Sequence, residues 1–238
     1  MSEHQKVWAI VPAAGAGKRM GSEIPKQYLT LSGRPLLAHT CEALLRHSTI
    51  ESLILVVAAD DDRWEEAVGI KSVPSITTVH GGRERCHSVF NGLKSISDRA
   101  APDDWVLVHD AARPCLSYSD LDHLLKKIED DPVGGLLGTP VRDTMKRSDA
   151  GARVVETVDR ALLWHALTPQ VFRYALLTEA LAQIIASNAI VTDEAAAVER
   201  MGFNPVMVQG SSSNLKVTRP DDLPLAEWYL NQQKERAS

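Results

Sequence analysis

Cysteine is scarce in this sequence. The three cysteines, Cys41, Cys86 and Cys115, lie far apart and are odd in number. There is no Cys-x-x-Cys pair, so the sequence argues against a disulfide framework and against a cysteine-based zinc site. We expect reduced thiols in a cytoplasmic protein.

Long apolar runs and an excess of positive charge are also missing. The apolar run at residues 7–11 is shorter than a signal-peptide core of about 7–15 residues or a membrane-spanning helix of about 20. Lys and Arg number 26 against 31 Asp and Glu, which gives a formal net charge of −5. This charge removes the electrostatic case for a dedicated nucleic-acid or anionic-membrane binder. We therefore expect neither nucleic acid nor a membrane as a partner.

The overall composition is that of a folded chain. Hydrophobic residues make up 44% and charged residues 24% of the 238 residues, which excludes a disordered or fibrous protein. A chain of this length can bury a large core without disulfide bonds. Because the sequence contains no internal repeat, low-complexity tract or Pro/Ser-rich linker, we expect residues 1–238 to form a single domain.

Short apolar, β-branched runs alternate with helical stretches along the chain. The predicted strands are residues 7–11, 53–58, 76–79, 106–108, 133–137 and 206–208. The predicted helices are residues 35–47, 85–96, 121–128 and 193–201, the last with Thr192 as N-cap and Gly202 after its end, and a final helix from Pro220 toward Leu230. This alternation predicts an α/β fold with a mostly parallel, twisted sheet flanked by helices.

Residues 140–159 break this alternation. The segment is polar and charged, it alternates weakly, and residues 148–151 (Ser-Asp-Ala-Gly) are typical of a turn between two halves. The pattern predicts a protruding β-hairpin arm. Because a lone hairpin is marginally stable in water, we expect the arm to pack against a second copy of the chain in a homodimer.

Small residues and cations follow the first predicted strand. The run from Ala13 to Gly17 lets the backbone approach a ligand and can turn several N–H groups toward an anion, with Arg19 and Lys26 beside it. The run is not a Walker A loop, which needs Gly-x-x-x-x-Gly-Lys-Ser/Thr. It is not a dinucleotide fingerprint either, because Met20 stands where the third glycine of that fingerprint would be. The pattern favours a phosphate-binding loop of another kind over a flexible, solvated turn.

Two further loops carry residues suited to phosphates. One is residues 81–85 (Gly-Gly-Arg-Glu-Arg), before a helix that contains Ser88, and the other is residues 109–114, after another strand. The carboxyl ends of parallel strands meet at one edge of a sheet, so we expect these loops to share a crevice with the first one. Asp110 is a hard oxygen ligand that suits magnesium together with substrate phosphates, although a turn-forming role is an alternative. His109 is interpreted as a packing or hydrogen-bonding residue.

Two other segments contain residues that could take part in catalysis or binding. Lys216 lies between two apolar residues in a short extended run, where a lysine often points into a site. Cys86 and His87 are neighbours on a predicted helix, so we expect them to point away from one another and not to form a catalytic pair.

These motifs occur in one order along nearly the whole chain. They are residues 13–20, 25–28 (Pro-Lys-Gln-Tyr), 81–89, 109–114 (His-Asp-Ala-Ala-Arg-Pro), 140–144, 168–170 (Thr-Pro-Gln), 192–194 (Thr-Asp-Glu) and 216–218 (Lys-Val-Thr). As a set they resemble the 2-C-methyl-D-erythritol 4-phosphate cytidylyltransferase family, which uses CTP in the non-mevalonate isoprenoid pathway. The resemblance implies a Rossmann-like nucleotidyltransferase fold, a homodimer formed through arm 140–159, and dependence on Mg²⁺.

The resemblance also implies roles for individual residues. The nucleotide-binding residues would be Ala13, Ala14, Gly15, Gly17, Gly82, Arg83 (through its backbone), Ser88, Asp110 and Ala111. The catalytic residues would be Arg19 and Lys26, which grip the triphosphate, and Asp110 would face the metal. The polyol phosphate would be held by Arg113, Thr144, Arg160 and Lys216, some of them from the partner subunit.

Two alternatives remain open at this point. The chain could be a cytidylyltransferase for another polyol phosphate, such as ribitol 5-phosphate, whose family looks similar in the glycine loop. It could also be a regulatory nucleotide-binding module without turnover, although the joint presence of Arg19, Lys26, Asp110 and Lys216 argues against this.

Overall fold

The structure is a computed structural model that describes residues 5–15, 24–69 and 76–237. The strands are β1 (Val7–Pro12), β2 (Thr30–Leu31), β3 (Arg34–Pro35), β4 (Ile50–Val57), β5 (Ile76–His80), β6 (Trp105–Val108), β7 (Gly134–Pro140), β8 (Met145–Ser148), β9 (Val154–Val158), β10 (Trp164–Arg173) and β11 (Val206–Gln209). The helices are α1 (Leu36–Leu45), α2 (Trp64–Val68), α3 (Arg85–Lys94), α4 (Tyr118–Lys127), α5 (Tyr174–Ala186), α6 (Glu194–Arg200) and α7 (Asp222–Ala237), and a short 3₁₀ turn covers Lys26–Tyr28.

A seven-stranded sheet organises the chain in the order β11-β7-β10-β6-β1-β4-β5. β10 is antiparallel to both of its neighbours, and the other strands run in one direction. The predicted mostly parallel sheet is therefore confirmed, and each of the six predicted strands is present. β10 and α5 were not predicted, and in β10 the apolar pattern is interrupted by Pro169 and the polar residues around it.

The sheet is covered by helices on both faces. In β1, Val7 and Val11 pack in a core cluster with residues of α1 and α4, whereas Trp8 and Ile10 pack in a second cluster with residues of α3, α5 and α6. Alternate residues of a strand point to opposite faces, so a strand buried on both sides is apolar throughout. This explains why residues 7–11 of β1 form a continuous apolar run.

A third cluster fixes the carboxyl-terminal segment against the sheet. Ala226 and Leu230 of α7 pack with Cys115 and Val217, which are buried. The backbone N–H of Val217 donates to the carbonyl of Ala112 at 2.8 Å. As a result, the segment with Lys216 lies directly beside the loop that follows β6.

Several predicted helix starts differ from those observed, and α4 begins at Tyr118 and not at Leu121. The N-cap of α6 is Asp193 and not Thr192, since the Asp193 carboxylate accepts a hydrogen bond from the N–H of Ala196 at 2.9 Å. The last helix begins at Asp222 and not at Pro220. At the other end of α6, Gly202 has a φ of +86°, so its predicted place after the helix end is confirmed.

The predicted hairpin arm is present. β8 pairs antiparallel with β9, and the two strands form a separate sheet. In the order of the chain, this hairpin comes between β7 and β10. The carboxylate of Asp149 shapes the turn by accepting from the N–H groups of Gly151 and Arg153, both at 2.9 Å. Val154, Val155 and Leu162 leave 65%, 63% and 89% of their surface exposed.

The three cysteines are free and buried, which agrees with the expected absence of disulfide bonds. Among the helices of the described residues, none has the combined length and apolar character needed to cross a membrane.

Candidate functional site

A cavity of about 360 Å³ opens at the carboxyl ends of β1, β5 and β6. It lies where the strand order reverses, since β4 and β5 extend the sheet on one side of β1 and β6 on the other. Ligands of open α/β sheets bind at such a position. The lining residues are Pro12, Ala13, Ala14, Gly15, Lys26, Gln27, Gly82, Arg83, Glu84, Arg85, Ser88, Asp110, Ala111, Ala112, Lys216 and Thr218. The three loops that were predicted to share a crevice therefore do so.

The 3₁₀ turn after the first loop places Lys26 on the cavity wall. Its neighbour Gln27 is buried and donates from Nε2 to the carbonyl of Ala13 at 2.8 Å. Tyr28 donates from its hydroxyl to the Asp61 carboxylate at 2.6 Å. Burial, together with this hydrogen bond, raises the pKa of Tyr28. Both side chains thus hold the turn, and Lys26 remains directed to the cavity.

The loop after β5 packs closely on the first loop. A Cβ on Gly81 would stand 2.4 Å from the Cβ of Ala14, and one on Gly82 would stand 2.4 Å from the Cβ of His87. The N–H of Gly82 donates to the Ser88 hydroxyl at 3.1 Å. Only glycine permits this approach, which brings two stretches of backbone to one side of the cavity.

Asp110 stands among three cationic side chains. Its Oδ2 lies 2.9 Å from Nζ of Lys216 and 3.3 Å from Nε of Arg113, and its Oδ1 lies 3.4 Å from a guanidinium nitrogen of Arg85. Burial alone would raise the pKa of Asp110, but Arg85, Lys216 and Arg113 hold it well below its usual range. Asp110 is therefore ionised at neutral pH, and this group carries a net positive charge.

A buried glutamate holds Arg85. Oε1 of Glu194 lies 2.5 Å from a guanidinium nitrogen of Arg85, and the Glu194 side chain is 1% exposed. Burial by itself would lower the pKa of Arg85, but Glu194 and Asp110 raise it above its ordinary value. The guanidinium thus bridges two carboxylates and remains charged.

Thr168 and His109 form a chain of hydrogen bonds that holds the backbone at Asp110. The Thr168 hydroxyl accepts from the N–H of Asp110 at 3.0 Å and lies 3.0 Å from Nδ1 of His109. Nε2 of His109 lies 3.1 Å from the carbonyl of Arg113, which can only accept. His109 therefore carries its proton on Nε2, and Thr168 donates to Nδ1. Burial lowers the pKa of His109 to about 4, which agrees with a neutral, structural histidine.

The structure places the residues predicted from sequence in four different ways. Those that line the cavity are Ala13, Ala14, Gly15, Lys26, Gly82, Arg83, Ser88, Asp110, Ala111 and Lys216. Gly17 and Arg19 lie outside the described residues. Arg113 is buried behind Asp110, where it also donates to the carbonyl of Asn214 at 2.8 Å. Thr144 and Arg160 are exposed at the base of the arm, and the Arg160 guanidinium donates to the carbonyl of Arg142.

One expectation about side-chain direction was wrong. Cys86 and His87 do not point apart, since Sγ of Cys86 lies 3.5 Å from Nδ1 of His87. Both belong to the first turn of α3, where the side-chain torsions of neighbouring residues can bring their ends together even though the Cα–Cβ directions diverge.

No individual role was predicted for Arg85, Glu194, Gln27 or Thr168. Each stands in a motif that carried the family resemblance, so the signal was present without a function. Their contacts join segments far apart in the chain, as in the Arg85–Glu194 pair, whose members are 109 residues apart.

Comparison with known proteins gives one consistent result. The profile of the family described as 2-C-methyl-D-erythritol 4-phosphate cytidylyltransferase (IspD) matches residues 7–232. A protein of that name from Vibrio vulnificus (strain CMCP6) is 49% identical over 228 residues, covering 96% of each chain. One from Pseudomonas putida (strain W619) is 51% identical over 222 residues, covering 93% of each chain.

A solved structure is also similar. The crystal structure of the Francisella tularensis protein of the same name superposes with a TM-score of 0.82 at 34% identity, covering 94% of this chain and all of that one. The mostly parallel sheet flanked by helices therefore matches a nucleotidyltransferase structure.

Proposed function

Because the chain belongs to the 2-C-methyl-D-erythritol 4-phosphate cytidylyltransferase family, we propose that it joins CTP and 2-C-methyl-D-erythritol 4-phosphate. The products are 4-diphosphocytidyl-2-C-methyl-D-erythritol and pyrophosphate, and the reaction belongs to the non-mevalonate isoprenoid pathway. The observation that carries this proposal is the family match over residues 7–232, with about half of all positions identical in relatives that bear this name. No observation favours ribitol 5-phosphate or a module without turnover.

The backbone of the two small-residue loops binds the nucleotide in this proposal. Ala13, Ala14 and Gly15 line the cavity, and so do Gly82 and Ser88 of the second loop. Gly81 and Ala14 are in close contact, so the two loops have a fixed spacing. Fixed N–H groups cost little reorganisation when they meet a phosphate.

The reaction requires no general base from the protein. A phosphate monoester carries a charge of about −1.5 to −2 near neutral pH, so its oxygen is already a nucleophile. That oxygen forms a bond to the α-phosphorus of CTP, and the bond between the α-phosphorus and the bridging oxygen breaks to release pyrophosphate. This assignment agrees with His109, which is buried, neutral and engaged on both ring nitrogens.

Charge neutralisation is what the chain must supply. Two anionic substrates have to approach one another in line, and negative charge grows on the α-phosphoryl oxygens and on the leaving pyrophosphate. Lys26 and Lys216 line the cavity and present fixed positive charge there. We assign Arg19 to the same task. A well-placed donor of this kind contributes roughly 3–4 kcal/mol to the lowering of the barrier.

The donor chemistry of Asp110 fits magnesium. The carboxylate is a hard oxygen ligand, it is ionised, and it lines the cavity. Lys216 and Arg113 both contact Oδ2, whereas Oδ1 has the longer contact with Arg85, so we assign Oδ1 as the ligand atom. Magnesium would supply further positive charge to the triphosphate, and its other ligands would be substrate phosphates and water.

The polyol phosphate is held by Lys216 together with residues of the arm of a second copy. Thr144 and Arg160 do not line the cavity of their own chain, and the arm that carries them exposes Val154, Val155 and Leu162. A homodimer would cover these apolar residues and bring the arm to the partner's cavity. Arg113, behind Asp110, orients the carboxylate. The free, buried cysteines favour a reducing, cytoplasmic location.

Pyrophosphate release tests this function. The purified protein with Mg²⁺ is offered 2-C-methyl-D-erythritol 4-phosphate and each of CTP, ATP, GTP and UTP, and then CTP with ribitol 5-phosphate. We expect rapid release only with CTP and the methylerythritol phosphate. Faster release with ribitol 5-phosphate would reassign the acceptor, and nucleotide binding without release from any pair would reject the enzymatic function.

A further inference from the structure

Three potential metal ligands meet at the start of α3, beside the cavity. They are the carboxylate of Glu84, Sγ of Cys86 and Nδ1 of His87, and all three ligand atoms lie within 4.8 Å of one another. The family assignment gives none of these side chains a role. Glu84 is exposed and lines the cavity, His87 is half-buried, and Cys86 is buried but reaches His87 through its sulfur.

The spacing of sulfur and nitrogen matches a metal centre. A tetrahedral zinc ion binds a thiolate at about 2.3 Å and an imidazole nitrogen at about 2.0–2.1 Å, which separates the two ligand atoms by about 3.5 Å. The distance between Sγ of Cys86 and Nδ1 of His87 is 3.5 Å. The pair is thus already arranged as one edge of the coordination tetrahedron, and the Glu84 carboxylate is close enough to supply a third ligand by side-chain rotation.

We propose that Glu84, Cys86 and His87 form a site for a thiophilic divalent metal ion such as Zn²⁺, and that its occupation inhibits the enzyme. Three protein ligands leave a fourth position open toward water or a substrate phosphate. The metal would fix His87, which is packed against Gly82, and Glu84, which lines the cavity. Both residues border the loop that approaches the nucleotide.

Magnesium does not compete for this site. A thiolate and an imidazole select zinc, copper or cobalt, whereas magnesium prefers an octahedral set of oxygen ligands. Asp110 is the oxygen ligand for magnesium, and Cys86 and His87 offer softer atoms. The two metals can therefore be separated in one experiment.

Cobalt absorption tests the site directly. Co²⁺ added to the magnesium-free protein should produce a thiolate-to-cobalt charge-transfer band and the intense visible bands of tetrahedral coordination. Cys86→Ser should abolish the charge-transfer band, and His87→Gln and Glu84→Gln should weaken cobalt binding. His123→Gln, which removes an exposed imidazole on α4, is the matched control and should leave the spectrum unchanged. Absence of a charge-transfer band in the unaltered protein, or its persistence in Cys86→Ser, would overturn the proposal.

Alkylation gives a second readout that depends on neither colour nor activity. Zn²⁺ should slow alkylation of Cys86, as mapped by mass spectrometry. The rate of alkylation should return to its zinc-free value when a chelator removes the zinc. Cys41 and Cys115 are fully buried and serve as internal references, because zinc should not change their slow modification. Equal alkylation of Cys86 with and without zinc would contradict the site.

The inhibitory consequence rests on the proposed function, whereas the metal site does not. Zn²⁺ should suppress turnover in the presence of excess Mg²⁺, and His87→Gln should remain active at the same zinc concentration. Cobalt binding without zinc inhibition would retain the site and reject the inhibition. If the chain has no turnover with any substrate pair, the cobalt and alkylation experiments still decide the metal site.

Discussion

The guanidinium of Arg85 lies 2.5 Å from the carboxylate of Glu194, and this contact joins the start of α3 to the start of α6. The same guanidinium reaches Asp110 at 3.4 Å. An arginine between two carboxylates fixes the positions of both, so this pair links the fold on one face of the sheet to the geometry of the cavity. A substitution in the Arg85–Glu194 pair should therefore change both the free energy of unfolding and substrate binding.

Arg85→Met should destabilise the chain by about 3–5 kcal/mol, because it leaves the carboxylate of Glu194 buried without a countercharge. The double variant Arg85→Met/Glu194→Gln should recover most of this loss, since position 194 then carries no charge, and Asp110 keeps its contacts with Lys216 and Arg113. Urea unfolding measures both effects. Arg46→Met is the control, because Arg46 pairs with Glu42 at the exposed surface and its loss should cost less than about 1 kcal/mol. A similar small cost for Arg85→Met would contradict the role of the pair.

Local patterns in the sequence predicted the strands around the site and the three loops that meet there. Each of these loops, namely the glycine loop, the loop at 81–85 and the Asp110 loop, follows a predicted strand. Because the carboxyl ends of parallel strands meet at one edge of a sheet, the three loops were predicted to share a crevice. The arm was predicted because its polar, weakly alternating pattern contrasts with the buried strands.

Other features could not be derived from local sequence. The pairing of Arg85 with Glu194 depends on how α3 and α6 pack, and no spacing rule connects positions 109 residues apart. β10 was missed because Thr168, Pro169 and Gln170 break its pattern, yet Thr168 supports Asp110 and Gln170 donates to the N-cap Asp193 at 2.9 Å. The residues that break the strand pattern are the ones that support the site.

Acidification should destabilise the chain through His109. The pKa of this buried imidazole is about 4, whereas an unfolded histidine titrates near 6.5. Between these values the unfolded state binds a proton that the folded state excludes, so stability is complete above about pH 6.5 and falls as the pH is lowered. The contribution lost at pH 5 is about 2 kcal/mol.

His109→Gln tests this by removing the titrating group. Urea unfolding at pH 7 and pH 5 should show a smaller difference in unfolding free energy for the variant, by about 2 kcal/mol, than for the unaltered chain. His39 and His47, whose pKa values burial also lowers, contribute equally to both proteins. An unchanged difference would mean that His109 accepts a proton in the folded state.

Lys26→Met should lower turnover by on the order of a hundredfold or more, because a fixed charge beside the triphosphate is lost. The fold should persist, since Gln27 and Tyr28 still anchor the turn. Steady-state pyrophosphate release measures the effect, and circular dichroism checks the fold. Lys127→Met removes an exposed lysine from α4 and should leave turnover unchanged. Near-normal turnover of Lys26→Met would reject its catalytic role.

Gly81→Ala should lower kcat/KM for CTP by on the order of a hundredfold, because a displacement of about 1 Å at the nucleotide loops has an effect of this size. The new Cβ would stand 2.4 Å from that of Ala14 and 2.9 Å from the Ser88 hydroxyl, so the two loops must move apart. The double variant Gly81→Ala/Ala14→Gly removes the closer of these contacts and should recover part of the loss. No recovery would show that the spacing between the loops is not the cause.

Arg160→Ala should raise the KM for the polyol phosphate and leave the KM for CTP unchanged, since the proposed function assigns the arm to that substrate alone. If the arm crosses to the partner, mixing Arg160→Ala with Lys26→Met after subunit exchange should restore activity at low polyol phosphate. With equal amounts of the two variants, about half of the dimers are mixed, and each mixed dimer has one of its two sites with an intact Lys26 cavity and an intact arm. Activity should therefore approach about a quarter of the unaltered value. A mixture no more active than its components would place Arg160 at the cavity of its own chain, or outside the site altogether.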